Sequence, residues 1–207
     1  MVMIQRIVAF FPVLALTAAE TIAVAKFPAG GSYAVEGSIT FTPTDDGLEV
    51  DADFENLPTL GSPFQFHIHE FPVPENGNCT ATGGHFNPLH ANASLCNASD
   101  WSTCESGDLS GKYGKINGTH FTKHEVDPYI SLNSTSDLYI GEGRSIVFHY
   151  ANSTRFACAN LTIVDDETAS SVANATSTID SLQTDGANAL ALNGLLAVGA
   201  AALLALI

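Results

Sequence analysis

His67 and His69 sit one residue apart in the run Phe64-Gln65-Phe66-His67-Ile68-His69-Glu70. In a strand, side chains two residues apart share a face. Both imidazoles therefore project together, while Phe64, Phe66 and Ile68 point the other way into a core. Two imidazoles side by side on the polar face of such a strand make half of a metal site. The chain has 7 histidines, and two others extend the array. His85 lies in Gly83-Gly84-His85-Phe86-Asn87-Pro88, where paired glycines permit a tight approach and Pro88 stiffens the exit. His149 lies in the alternating run Arg144 to Tyr150, where Ile146, Phe148 and Tyr150 share one face and Val147 and His149 the other.

These residues need strands to hold them. Apolar and polar residues alternate at Leu48 to Phe54, with the apolar set on one face. Similar short runs occur at Tyr33 to Thr42, Phe64 to Glu70, Tyr129 to Leu132, Arg144 to Tyr150 and Phe156 to Val164. Asp45-Asp46-Gly47, Asn76-Gly77 and Asn117-Gly118 punctuate them as turns. No long stretch of helical period lies between Lys26 and Asp166. With 207 residues and 45% hydrophobic content, the chain can build one domain with a core, and the pattern predicts an all-β sandwich or barrel.

The run Phe66 to Phe71, Cys79, and Gly84 to Pro88 resemble copper/zinc superoxide dismutase. So do Gly107-Asp108-Leu109, Tyr129 to Leu132 with Ile140 to Arg144, and Arg155 to Cys158, in the right order across about residues 33 to 164. The resemblance implies an eight-stranded Greek-key β-barrel of immunoglobulin-like sandwich architecture. Its metal site would lie outside the barrel, under the loops. It also implies that His67, His69, His85 and His149 are copper ligands. Four imidazole nitrogens suit tetragonal Cu(II), and loss of one donor suits Cu(I).

The zinc half departs from that family. His85 matches the bridging histidine and Asp108 the zinc aspartate, but Glu105 and Ala93 stand where the family has zinc histidines. His90 is offset by three residues, so a site of His85, Asp108 and His90 is the remaining route to zinc. Between His149 and Arg155 there are only five residues, too few for the long charged loop of the family. Both departures resemble the fungal copper-only superoxide dismutases. That likeness implies copper without zinc, with Glu105 accepting the second ring N–H of His85. Asp108 is expected to brace the same loop, and the short connection to leave the copper centre open to solvent.

The implied activity is extracellular disproportionation of superoxide to oxygen and hydrogen peroxide, with Arg155 as the cation that attracts and orients the anion. His85 would contribute to proton delivery. Two other readings stay open: a cell-surface copper buffer with little turnover, and zinc in the histidine site doing hydrolytic chemistry.

Composition and termini set the compartment. Met1 to Arg6 followed by apolar Ile7 to Ala18 reads as a secretory signal peptide, with cleavage near residue 19 or 25. The dismutase-like domain is expected over residues 26–166, a Ser/Thr-rich stalk over 167–185, and a GPI-attachment propeptide over 186–207, with Asp185 or Gly186 as lipid site. The protein would then be held at the plasma membrane or passed on to the cell wall; its oligomeric state is not set by the sequence, with a monomer the favoured expectation. Sequons at Asn92, Asn97, Asn117, Asn133, Asn152 and Asn174 are glycosylation candidates, whereas Asn78 adjoins Cys79 and Asn160 lies within a predicted strand. The 4 cysteines fit an oxidising compartment and allow three pairings. The family likeness implies Cys79 with Cys158, which leaves Cys96 with Cys104. Net charge is −15, and residues 26–166 carry 18 acidic against 6 basic side chains, which excludes a nucleic-acid partner.

Overall fold

A computed structural model of the protein describes residues 21–32 and 34–165. Eight strands run through it: β1 (Thr21–Phe27), β2 (Glu36–Thr44), β3 (Gly47–Glu55), β4 (Gln65–His69), β5 (Phe121–Asp127), β6 (Ser145–His149), β7 (Arg155–Asn160) and β8 (Thr162–Asp165). Five form one sheet in the order β5-β3-β2-β1-β8, and three form a second in the order β4-β6-β7. Every strand pair is antiparallel. The fold class is all-β, as the alternation predicts.

Burial follows the pleat. On β3, Leu48, Val50, Ala52 and Phe54 face inward while Asp51, Asp53 and Glu55 face solvent. Phe148 of β6 meets Phe27 and Phe54 edge-on at 5.2 and 4.9 Å and stacks on Phe66 at 5.8 Å, joining the two sheets across the core. The outward residues of β4 and β6 are then free to carry imidazoles.

Three elements differ from the sequence expectation. The domain start expected at residue 26 falls inside β1. Ile22, Ala23, Val24 and Ala25 are buried, and Thr21 to Val24 pair with β8. Small and apolar residues serve a buried central strand as well as they serve a cleavage site, so composition alone cannot separate the two. Phe156 to Val164 is two strands: β7 pairs with β6, and β8 pairs with β1. The chain crosses between sheets at Leu161, whose amide bonds the Arg144 carbonyl at 3.0 Å. Tyr129 to Leu132 forms only an isolated bridge, Ser131 to Tyr139. β5 escaped the pattern because Thr122, His124 and Val126 lie exposed beside Asp51 and Glu49 of β3, a mixed outer face.

The signal peptide up to residue 19, the stalk, the lipid sites Asp185 and Gly186, and Asn174 lie outside the described residues. Asn92, Asn97, Asn117, Asn133 and Asn152 are exposed. Asn78 is also exposed, but its side chain caps the 3-10 turn Cys79–Thr82. The Asn160 amide holds both backbone groups of Val73.

Candidate metal centre

β4 and β6 are adjacent strands, and their outward faces supply His67, His69 and His149. The segment around His85 then docks against the free edge of β4. Glu70 N–H donates to the Gly84 carbonyl at 3.1 Å and Phe86 N–H to the Ile68 carbonyl at 2.8 Å. Gly107 completes the junction: its amide donates to Phe86 O, and its carbonyl accepts from Ile68 N–H. A Cβ at Gly107 would sit 2.5 Å from the Ile68 oxygen, so only glycine fits this close approach. The result is one group, His67, His69, His85 and His149, each offering a ligand atom within 4.8 Å of the others.

Contacts behind three of the rings set their tautomers. His69 Nδ1 faces the Gly83 carbonyl at 3.1 Å, and His149 Nδ1 faces the Ser153 carbonyl at 3.2 Å. His85 Nδ1 lies 2.6 Å from Glu105 Oε2, and His67 Nε2 lies 3.5 Å from Asp108 Oδ1. The Gly83, Ser153 and Glu105 oxygens accept, so Nδ1 of His69, His149 and His85 carries the hydrogen and the opposite nitrogen keeps its lone pair. His69 Nε2 and His149 Nε2 consequently point lone pairs at each other across 3.2 Å. His67 Nδ1 is buried with no hydrogen-bond partner. An orphaned imidazole nitrogen and two opposed lone pairs are unfavourable alone, and a shared cation relieves both. The donor set fits copper, for which four imidazoles are a suitable environment.

Burial enforces the neutral, ligating form. Desolvation pushes His67 well below its ordinary value, with further repulsion from His85 and His149. His69 is lowered to about 3 by burial, then by the Arg155 charge. His149 falls to about 4, again chiefly by burial.

The chain matches the model of the copper/zinc superoxide dismutase family over residues 35–175, more than half its length. It belongs to that family. Cell surface superoxide dismutase [Cu-Zn] 6 of Candida albicans is 46% identical over 143 residues, which cover 69% of this chain and 45% of that protein. Cell surface Cu-only superoxide dismutase 5 of the same organism is 44% identical over 144 residues, covering 69% of this chain and 61% of the relative. The chain thus spans between about half and three fifths of the length of these relatives. The solved Cu(II) structure of Candida albicans superoxide dismutase 5 superimposes with a TM-score of 0.65 at 41% identity, covering 72% of this chain and 95% of that one.

For a member of the family, the zinc half is unusual. Neither Asp108 nor His90 enters any metal-capable group among the described residues. His90 is exposed, in a positive-φ turn whose amide bonds Asn87 O. Asp108 instead caps the helix α1 (Leu109–Tyr113), accepting from Gly111 N–H at 2.7 Å. Glu105 occupies the space beside His85, and its second oxygen accepts from Asn87 Nδ2 at 3.1 Å. The centre is less open than the short connection after His149 suggests. His67, His69 and His149 are buried, and only His85, with 29% of its side chain exposed, meets solvent.

Arg155, paired with His149 across β6 and β7, spends its guanidinium on the 3-10 turn. Nη1 donates to Cys79 O, Thr80 O and Thr82 Oγ1, and Nη2 donates to Gly83 O at 2.6 Å. The Gly83 carbonyl that holds His69 is therefore also held by Arg155. Disulfides join Cys79 to Cys158 and Cys96 to Cys104. The first ties this turn to β7. Sequence reasoning missed Asn87, Thr82, Ser110 and Ser153. Ser110 Oγ accepts from Phe66 N–H at 2.7 Å and the others touch a ligand or Glu105. Most act through backbone or through loops folded back in space, which carry no spacing signal.

Proposed function

We propose that this protein is an extracellular superoxide dismutase that works at a mononuclear copper site without zinc. The observation that carries the reading is His67 Nδ1, buried and unpartnered, facing three other imidazoles whose far nitrogens are already tied. The family model and the relatives' names support superoxide as substrate, and the Glu105 contact to His85 supports a centre organised without zinc.

His67, His69, His85 and His149 would hold the copper. Bound there, the metal supplies a one-electron couple that lets two superoxide ions and two protons become oxygen and hydrogen peroxide. Arg155 attracts the anion toward the rings and orients it. Glu105 Oε2 keeps the proton on His85 Nδ1, so that Nε2 faces the centre, and Asp108, 3.5 Å from His67 Nε2, adds a negative charge behind that ring while it braces the loop through Gly111 N–H. His85 is the exposed ring and the natural point of proton entry. We place the mature start near residue 19, because cleavage near 25 would cut β1. The cell-surface names of the relatives support secretion and retention at the cell surface; in this reading the chain is a monomer and a GPI lipid near Asp185 or Gly186 would hold it there.

The test is metal analysis of the secreted, folded protein followed by superoxide decay in pulse radiolysis. Copper alone with rapid decay is the expected result. Slow decay at full copper occupancy would leave a copper buffer, and zinc beside copper would overturn the zinc-free assignment.

A further inference from the structure

Among the described residues, one fully buried Lys–Asp pair takes no direct part in the histidine centre. Lys112 of α1 and Asp127 at the end of β5 form an ion pair with both side chains fully buried. Lys112 Nζ also donates to the Ser106 carbonyl at 2.8 Å. Asp127 accepts from Tyr113 Oη–H at 2.6 Å and from Tyr129 N–H at 2.8 Å. Removing two charges from water costs more than their attraction reliably returns, so such a pair is weak evidence for stability. Its position gives it another use. Ser106 sits between Glu105, which holds His85, and Gly107, which is bonded to both Ile68 and Phe86. Ser106 Oγ is buried without a partner. The segment is therefore held at this residue through its carbonyl, by Lys112.

We propose that Lys112, fixed by Asp127, is the positioning residue for Glu105. It pins the segment Glu105–Asp108 to β5 of the opposite sheet, and so sets the distance between the Glu105 carboxylate and His85 Nδ1. In place of a zinc ion, a buried ammonium anchors this loop to the barrel. The inference rests on the copper reading given under Proposed function, but its first readout does not.

The variant Lys112→Met with Asp127→Asn removes both charges together and leaves no lone buried ion. The amide oxygen introduced at position 127 can still accept from Tyr129 N–H, as Asp127 Oδ1 does, while the amide nitrogen takes the place of Oδ2 and donates to the Tyr113 hydroxyl, which then accepts. NMR of the imidazole nitrogens in the metal-free full chain reads the His85 Nδ1–H directly. In the double variant its downfield proton is expected to move upfield and exchange faster with water. Copper affinity by chelator competition should fall about 10- to 100-fold, as for lost partners behind a metal ligand. The pH profile of superoxide decay should shift in the same direction as for Glu105→Gln. A folded double variant with unchanged His85 proton, copper affinity and pH profile overturns the proposal. Should that variant not fold, Tyr113→Phe loosens Asp127 by one hydrogen bond and keeps both charges, and an unchanged His85 proton there overturns it equally. A wild-type chain that takes no copper would defeat the dismutase reading, while the metal-free NMR result would still decide the role of Lys112.

Discussion

At His69 and His149 the nitrogen facing the centre is prepared by what lies behind the ring. Backbone carbonyls of Gly83 and Ser153 fix the tautomers, and burial keeps both rings neutral. Arg155 reaches the same Gly83 carbonyl, so in the proposed mechanism it would couple anion attraction to the geometry of His69. Replacing Arg155 with Met should lower kcat/KM for superoxide by about tenfold or more, the scale of local electrostatic steering. Arg155→Lys should recover only part, because a point charge cannot span the carbonyls. Pulse radiolysis of copper-loaded, folded variants checks this, and an unchanged rate in the Met variant would remove Arg155 from the mechanism. Far from the centre, His124 Nδ1 lies 2.7 Å from Asp51 Oδ1, and this bond raises its pKa above 6.5. The pair favours the folded state below 6.5, and that contribution is lost as pH rises through the folded value. In an NMR titration the His124 midpoint should lie above 6.5 and fall back in Asp51→Asn; a midpoint that does not move would show that Asp51 is not the cause.

At the scale of elements, the segment from Cys96 to Tyr113 decides how His85 is held. Its Cys96–Cys104 bridge closes a loop of sequence separation 8, and a Cβ on Gly111 of α1 would meet Cys96 Sγ at 2.5 Å. Disulfide and helix are thus packed together beside Glu105. The double variant Cys96→Ala/Cys104→Ala should lose about 2–3 kcal/mol by loop closure alone. Urea unfolding measures that loss. Copper affinity should fall with it, and unaltered affinity in a destabilised variant would reduce the bridge to simple stabilisation. Strands with clean alternation, β3, β4 and β6, are readable from residues because the pleat repeats every two positions. The helix α1 is not: its five residues are held by the Asp108 cap, by Lys112 and by packing, and none of these shows a period.

For the whole molecule, the five-stranded sheet closes only when β1 lies between β2 and β8. A chain beginning at Lys26 loses every β1–β8 pair and buried Ile22 and Val24, each side chain contributing about 1.5–3 kcal/mol. It should fail to fold, while a chain beginning at Glu20 should melt cooperatively by circular dichroism. A cooperative melt from the shorter chain would show that β1 is dispensable.

The sequence by itself determined the face on which His67 and His69 project, the β class of the fold and the resemblance that brought in His85, His149 and Arg155, because these depend on local spacing and side-chain type. Only the tertiary structure decided that residues 21–25 belong to the barrel and that three of the four rings are buried. It also brought Glu105 within 2.6 Å of His85 and set a buried Lys112 between Ser106 and Asp127. These outcomes depend on segments far apart in the chain meeting across two sheets, and no local period records such meetings.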